Sequence, residues 1–488
     1  MKKFLIRGGL SPFDNFSPLQ VLSRNAIGDN VGNLLYAYGC FRTLFSEDTS
    51  LELDYYKGEQ GYSQKQIDEI NESYDGYLIP LADAFRPDFR TKLTIYTSLI
   101  RRLKIPVYLL GVGLRAPYEP NLQESLPFDA EVRDFIKAVL EHSAIVGLRG
   151  QITGDYLKKL GFREEKDYTV IGCPSMYSRG RALPELRKDS LEKDSRISIN
   201  FSAVTPDPVM EMLLANLKKY PNHCFTGQNI QDLRLLYTGI PYSSNHNALY
   251  PASLSHQLYQ EDRVHFFVNV PSWFSHMKTI DFTIGGRLHG NVAGVLCGCA
   301  PLFIMQDARM RELAEYHHFP RIPAQDIKPE DDFQELLAKV DLCSHLRQQA
   351  ANFDHFLWFL EQNGLEHIYQ DDPNRRQAPL DLEMEKRTYE PTVSSVIACG
   401  PAEGLSRCQS YAADLKSQRD TLKNRNQALR QETRKLQGRL QETQQKLQVC
   451  EKKLKQCQNE KKELQDRIRH PARMARYYAK AAVRRLHK

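Results

Sequence analysis

The sequence predicts two α/β domains in tandem, then a long heptad-patterned helix and a basic tail. Three observations carry this. Short apolar runs alternate with amphipathic stretches through residues 1–178 and again through 196–369, the pattern of parallel sheets covered by helices on both faces. From residue 408 the apolar period changes to seven. The charge also divides: residues 408–488 carry 22 Lys and Arg against 8 Asp and Glu, whereas residues 1–407 carry 44 against 52. A mildly acidic body with a basic extension points to tethering on something anionic through the extension, and away from a nucleic-acid-binding body.

The elements follow in order. In the first domain, Gly76–Pro80, Pro106–Leu110, Ala144–Leu148 and Tyr168–Ile171 read as buried strands. Helical spacing lies between them at 92–103, 130–142 and 151–160. Residues 179–195 are charged, contain Pro184 and lack an apolar period, so they read as an interdomain linker. In the second domain the strands are Ile197–Phe201, Val264–Val268, Phe282–Ile284 and Leu302–Met305. Helices are expected at 209–217, from Pro271, from Leu288 and at 309–316, and a long amphipathic helix at 346–365 closes the body. Two such domains leave a cleft between the carboxyl ends of their strands, where ligands of open α/β sheets bind.

Residues 370–407 contain four prolines and read as an extended linker. In 408–468, Leu415, Leu422, Leu429, Leu436, Thr443, Cys450, Cys457 and Leu464 occupy one heptad position. The position three residues earlier is mixed, with Asn426 and Thr433 beside Leu440, Leu447 and Leu454. This predicts a coiled coil, most simply a parallel homodimer; a single solvated helix is the alternative. The tail, 469–488, together with the preceding Arg467, holds eight basic residues and no acid, interleaved with Met474, Tyr477, Tyr478 and Leu486. It suits an anionic membrane surface, with a solvated or protein-binding tail as the alternative.

Composition narrows the class further. At 41% hydrophobic and 26% charged the chain is globular, which excludes a collagen or a wholly disordered protein. The longest nearly apolar run, 292–305, is shorter than the ~20 residues of a membrane span. Lys2 and Lys3 precede only Phe4-Leu5-Ile6, too little for a signal peptide, so a cytoplasmic location is expected, peripheral to the inner membrane face if the tail binds there. The ten cysteines include no C-x-x-C pair, and no four-ligand zinc set can be assembled from the sequence; reduced thiols and no metal are expected.

Several residues carry chemical potential. Gly111-Val112-Gly113-Leu114-Arg115-Ala116 follows a strand and fits G-x-G-x-x-A, but Pro117 and Pro120 prevent the helix a dinucleotide needs. Gly111 and Gly113 instead suit a loop passing close to a ligand or to the facing domain. Arg149 stands where a strand gives way to a helix, beside amides free to take an anion. Gly285-Gly286-Arg287-Leu288-His289-Gly290-Asn291 is the most informative stretch: glycines for close backbone approach, a permanent bidentate cation, and a side chain that exchanges protons near neutral pH. Arg309 or Arg311 could complete an anion pocket. No P-loop, H-E-x-x-H or G-x-S-x-G is present.

These motifs resemble the polysaccharide pyruvyl transferases. The resemblance rests on Gly28-Asp29-Asn30-Val31-Gly32-Asn33, Val146-Gly147-Leu148-Arg149, Gly172-Cys173-Pro174, Gly286-Arg287-Leu288-His289-Gly290, Ala300-Pro301-Leu302 and Arg309-Met310-Arg311-Glu312-Leu313. It covers roughly residues 20–325 and leaves the coil and tail outside. It implies two Rossmann-like domains in a GT-B-like arrangement, and formation of a pyruvate ketal on a sugar of a polysaccharide or lipid-linked glycan. Phosphoenolpyruvate (PEP) would be the co-substrate, with no further cofactor. By position, Arg149, Arg287, Leu288 and His289 would line the PEP site, with His289 as acid/base. Arg309 stands where the family usually has lysine. Cys173 replaces the more usual aspartate, which bears on the acceptor side, where Asp29, Asn33, Gly111 and Gly113 are the loop candidates. A GT-B glycosyltransferase using a nucleotide-sugar is the rival reading, distinguished by donor; a non-catalytic scaffold built on the coil is the other.

Overall fold

The computed structural model describes residues 1–486. Residues Met1–Tyr411 form one compact unit, and the chain from Ala412 onward forms a second.

The compact unit holds twelve strands, and every strand pair in its sheets is parallel. The first half contributes β1 (Lys2–Ile6), β2 (Thr49–Leu53), β3 (Gly76–Pro80), β4 (Val107–Leu110), β5 (Val146–Leu148) and β6 (Tyr168–Val170). They run β2-β1-β3-β4, with β5-β6 alongside. A parallel bridge between Val112 and Leu148 and the bond from Gly111 N–H to Gly147 O (2.8 Å) carry the sheet on from β4 to β5. The second half contributes β7 (Ile197–Asn200), β8 (His223–Thr226), β9 (Val264–His265), β10 (Phe282–Gly285), β11 (Ala300–Met305) and β12 (Arg321–Pro323) in the order β12-β11-β10-β7-β8-β9.

The two halves therefore differ in winding. Renumbered within its half, the second sheet has the 3-2-1-4-5-6 order of a dinucleotide-binding fold, whereas the first begins 2-1-3-4-5, the flavodoxin-like order. Both orders reverse direction at one point, between β1 and β3 in the first sheet and between β7 and β10 in the second. Crevices at the carboxyl ends of strands form there.

Strand interiors are apolar because helices cover both faces. Leu78, Ile79, Leu109, Ile199, Phe282 and Ile284 are all fully buried. β1 and β2 escape the sequence pattern: β1 offers three apolar residues behind two lysines, yet it lies between β2 and β3. β8 (His-Cys-Phe-Thr) and β12 (Arg-Ile-Pro) likewise carry too few apolar residues to stand out.

Two expectations on the body are corrected. The helix Ser344–Gln362, counted with the second domain, packs on the first half: Asn363 Oδ1 accepts from Ala144 N–H at 3.0 Å, and the Phe359 ring lies beside Ile171 and Gly147. Residues 370–407 are not an extended linker. They include the helix Pro379–Glu385, whose Leu380 is fully buried. Asp381 makes a two-pronged ion pair with the buried Arg42 (3.0 and 2.7 Å). Val393 N–H and Val396 N–H then bond to Phe266 O and Leu236 O of the second half. The strap is held by buried ionic and apolar contacts that leave no sequence period.

The helix Pro401–Arg469 begins ahead of the heptads and runs through them; Pro471–Leu486 is a separate helix after His470. Along the first, Leu415, Leu422, Leu429, Leu436, Leu440, Leu447, Leu454 and Leu464 are 45–60% exposed. The tail's Lys488 lies outside the described residues. No described helix is long and apolar enough to cross a membrane.

Candidate active site

The Gly285–Asn291 turn joins β10 to the helix Leu288–Val295, at the switch point of the second sheet. A buried amide network fixes it. Asn200, the last residue of β7, accepts from Arg287 N–H through Oδ1 (2.7 Å) and from Gly286 N–H through its backbone oxygen (2.9 Å). Its Nδ2 donates to Asn291 Oδ1 (2.6 Å), and Asn291 Nδ2 returns to Gly285 O (2.9 Å). With every buried amide paired, Arg287 and His289 are presented in one orientation.

The Arg287 guanidinium donates through Nη2 to Asn229 Oδ1 (2.7 Å). Asn229 caps the helix Ile230–Thr238, and Asp232 in turn holds the N–H groups of Gln228 and Asn229 (2.9 and 2.8 Å). The first half meets this turn through its own loop: Val31 N–H bonds Gln228 O (2.9 Å) and Ile230 N–H bonds Asp29 O (3.0 Å). Two acceptor-side candidates are thereby occupied. Asp29 Oδ1 accepts from Asn25 (2.8 Å), and Asn33 Nδ2 ties Ile27 O and Gly28 O (2.9 and 3.1 Å). They shape the loop that docks the halves. Gly32 next to them is required by proximity: a Cβ there would stand 2.7 Å from the His289 ring.

His289 lies between the halves. Its Nε2 is 3.6 Å from Cys173 Sγ, and its ring meets the edge of Tyr36 at 6.1 Å. Burial, then the positive charges of Arg149, Arg309 and Arg287, push its pKa down to about 3, against a weaker opposing effect of Asp83. The imidazole is therefore neutral at pH 7. Burial also raises the pKa of the Cys173 thiol, so His289 faces a neutral partner there.

Arg149 is 1% exposed. Its backbone N–H bonds Val112 O (2.9 Å), and its guanidinium lies over the Tyr36 ring at 5.7 Å. Neither Nε nor Nη2 has a hydrogen-bond partner among the described residues. A buried cation with two unused donors is costly unless an anion completes it. One of the helix amides expected beside it, Thr153 N–H, is already taken. Glu312, from the second half, accepts from Thr153 N–H (2.8 Å) and Thr153 Oγ–H (2.9 Å), filling the amino end of the helix Gln151–Lys159. Burial pushes the Glu312 carboxyl up to about 8.

Arg309 donates to Asp83 (2.8 Å) and Asp307 (2.9 Å). Asp83, three residues past β3, also pairs with Arg86 (3.1 Å) and Arg115 (2.9 Å), and these arginines together outweigh its burial and hold it far below the usual carboxylate range. Arg311 turns away, paired with Glu315 at 2.9 Å and stacked on Tyr118. Leu288, half-buried, packs on the core as the first residue of its helix. Gly111 has φ +66°, and a Cβ there would meet the Tyr36 hydroxyl at 2.2 Å. Gly113 donates to Ala82 O (2.6 Å), beside Asp83.

The fold thus gathers Arg149, Arg287, Arg309 and His289 from positions 160 residues apart. It adds Tyr36, Asp83, Asn200, Asn229 and Glu312, which sequence reasoning missed. Glu312 falls within a motif already singled out; the other four carry no local signal.

Two parallel α/β halves thus bring Arg149, Arg287 and Arg309 together with His289 near the ends of their strands. The chain belongs to the polysaccharide pyruvyl transferase family: the family profile described as "Polysaccharide pyruvyl transferase" matches residues 30–307, more than half of the chain. No curated protein matches the sequence. Among solved structures, UDP-GlcNAc 2-epimerase of Methanocaldococcus jannaschii is similar at 10% identity over 74% of this chain and 99% of its own, with a TM-score of 0.38. UDP-GlcNAc 2-epimerase of Neisseria meningitidis matches at 11% identity over 79% and 99%, TM-score 0.36. Sucrose-phosphate synthase of Thermosynechococcus elongatus matches at 10% identity over 79% and 98%, TM-score 0.36.

Proposed function

We propose that the protein transfers the enolpyruvyl carbon skeleton of PEP to two hydroxyls of a sugar, forming a pyruvate ketal and releasing phosphate. The observation that carries this is the buried Arg149 guanidinium with two unused donors, facing His289 in company with Arg287 and Arg309. PEP carries a phosphate and a carboxylate, and planar guanidinium forks suit both. Arg149 and Arg287 act as the anion clamps. Arg309, half neutralised by Asp83 and Asp307, sets the edge of the site.

Neutral His289 enters as a base. It takes the proton of one acceptor hydroxyl as that oxygen bonds C2 of PEP, and a proton is delivered to the methylene carbon, which becomes the methyl group. The second hydroxyl then bonds C2 as the C2–O bond to phosphate breaks, and its proton leaves with the phosphate. One proton is gained by carbon and two are lost by the hydroxyls, so the second is released to phosphate or solvent. Bound PEP brings negative charge beside His289 and raises its pKa toward the working range, so one group serves both proton transfers. We read the two parallel α/β halves as the GT-B-like arrangement that the family resemblance implies.

The helical extension we assign to assembly and placement: a parallel homodimer through the leucine stripe, and contact of the basic tail with an anionic lipid surface at the cytoplasmic face of the membrane.

The test is incubation of the purified protein with PEP and a glycan panel. Phosphate release together with an acid-labile mass gain on the glycan is expected. Nucleotide release from a nucleotide-sugar, with no consumption of PEP, would replace this reading by glycosyl transfer.

A further inference from the structure

Away from the crevice, three metal-ligating side chains meet near the edge of the second sheet. Cys224 lies in β8, His265 in the edge strand β9, and His276 in the last turn of the helix Val270–Met277. Their sulfur and ring nitrogens all fall within 4.8 Å of one another. Cys224 Sγ is 3.6 Å from His276 Nε2, and the two imidazole centroids are 4.7 Å apart. Around a tetrahedral zinc ion, bonds of ~2.3 Å to sulfur and ~2.0 Å to nitrogen set those atoms roughly 3.5 Å from each other. The sulfur–nitrogen separation, 3.6 Å, is already close to that distance, and the remaining separations, none above 4.8 Å, close by side-chain rotation.

We propose that Cys224, His265 and His276 bind one zinc(II) ion, with a water in the fourth position. One thiolate and two imidazoles form a donor set for a borderline-soft d¹⁰ cation. A thiolate suits this place better than a third imidazole. Arg263 is close by, bonding His223 O at 3.4 Å, and the thiolate cancels one of the two metal charges. On binding, the thiol proton is released to solvent. Cys224 is buried, while His265 and His276 are half-buried, so a cation and its water reach the set from the sheet edge. Phe267, 5.2 Å from the His276 ring and stacked on Trp273, backs the site with an apolar wall.

The sequence offered no four-ligand set because these residues stand 41 and 11 apart, in three different elements. The ion would fasten β9 and the helix Val270–Met277 to β8. Five residues beyond Cys224 the chain reaches Asn229, which holds Arg287. The role is that of a structural clip, and it does not depend on what the crevice catalyses.

Cobalt(II) substitution of the full-length, chelator-treated protein tests this. One cobalt per chain is expected, with a thiolate-to-cobalt charge-transfer band in the near ultraviolet and the intense visible bands of four-coordination, all displaced by zinc. Cys224→Ala should abolish the charge-transfer band, whereas a Cys450→Ala/Cys457→Ala double variant should keep it. Replacing an outer-sphere partner of a metal ligand costs ~10–100-fold in affinity, so loss of a ligand in His265→Gln should cost at least ~100-fold. Zinc should raise the melting temperature of the wild type and leave His265→Gln unchanged. Absence of the band in the wild type, or its survival in Cys224→Ala, overturns the site. If Cys224→Ala fails to fold by circular dichroism, His265→Gln at the sheet edge decides, and wild-type affinity there overturns it equally.

Discussion

The protein concentrates positive charge in two places that work by opposite physics. At the site between the halves, Arg149 is buried and Arg287 and Arg309 are half-buried, and they contact Tyr36, Asn229, Asp83 and Asp307. In the tail helix Pro471–Leu486, Arg473, Arg476, Lys480, Arg484 and Arg485 stand exposed, with no acid among them. Within the cluster the fold pairs Arg287 and Arg309 but leaves two donors of the buried Arg149 unpaired, so a guanidinium there interacts strongly and directionally at short range. The exposed cluster keeps its hydration and acts through summed, salt-screened attraction. On the function proposed above, the same residue type would serve recognition of one small anion in the first setting and loose adhesion to an extended anionic surface in the second.

The largest expected effect is in the crevice. His289→Ala should lower turnover by ~10²- to 10⁴-fold while the fold survives by circular dichroism; wild-type turnover would remove His289 from the chemistry. Next comes the tail. Attraction of ~1 kcal/mol per basic residue means that four engaged side chains give ~4 kcal/mol, about a thousandfold in partition. Liposome flotation, comparing the full chain with one ending at Asp466, should show this difference on anionic vesicles and lose it in high salt. Equal flotation would erase the contrast between the two clusters.

Arg149→Lys and Arg287→Lys sharpen the comparison at the level of geometry. Lysine keeps the charge and loses the fork, so PEP affinity measured by calorimetry should fall ~10- to 100-fold, on the scale of one charge-assisted hydrogen bond. A tail Arg→Lys exchange should leave flotation unchanged. Sedimentation tests the helix that bears the tail: the full chain should be a dimer, and a chain ending near Pro401 a monomer. Two monomers would leave the exposed leucines to another partner.

The smallest effects are electrostatic. Cys173→Asp places a carboxylate near His289 Nε2 and should raise its pKa by ~1–3 units, read by NMR titration. Glu312 supplies a stability test. Its carboxyl rises from an ordinary 4.5 to about 8 on folding, so the folded state holds the proton more tightly across that window. Stability should fall as pH rises from 4.5 to 8, with a slope of at most ~1.4 kcal/mol per unit from this group. Glu312→Gln should flatten that slope.

Much of the second half was legible in the sequence, because its strands are continuous apolar runs and the glycine-flanked Arg287-Leu288-His289 turn concentrates unusual residues in seven positions. Periodicity likewise determined the long helix, since a seven-residue repeat needs no distant partner to be seen. Each half also hid two strands. β1 and β8 carry too few apolar residues to signal a strand, and residues 370–407 show no period because they are held by single long-range contacts such as Arg42–Asp381. At the site, the sequence by itself determined which residues had chemical potential. Only the tertiary structure decided that two donors of Arg149 lack a hydrogen-bond partner among the described residues, that Glu312 from the other half takes the Thr153 amide beside it, and that burial, reinforced by three arginines, keeps His289 neutral. Those properties depend on burial and on Coulomb interactions between residues far apart in the chain, and neither quantity exists until the two sheets face each other.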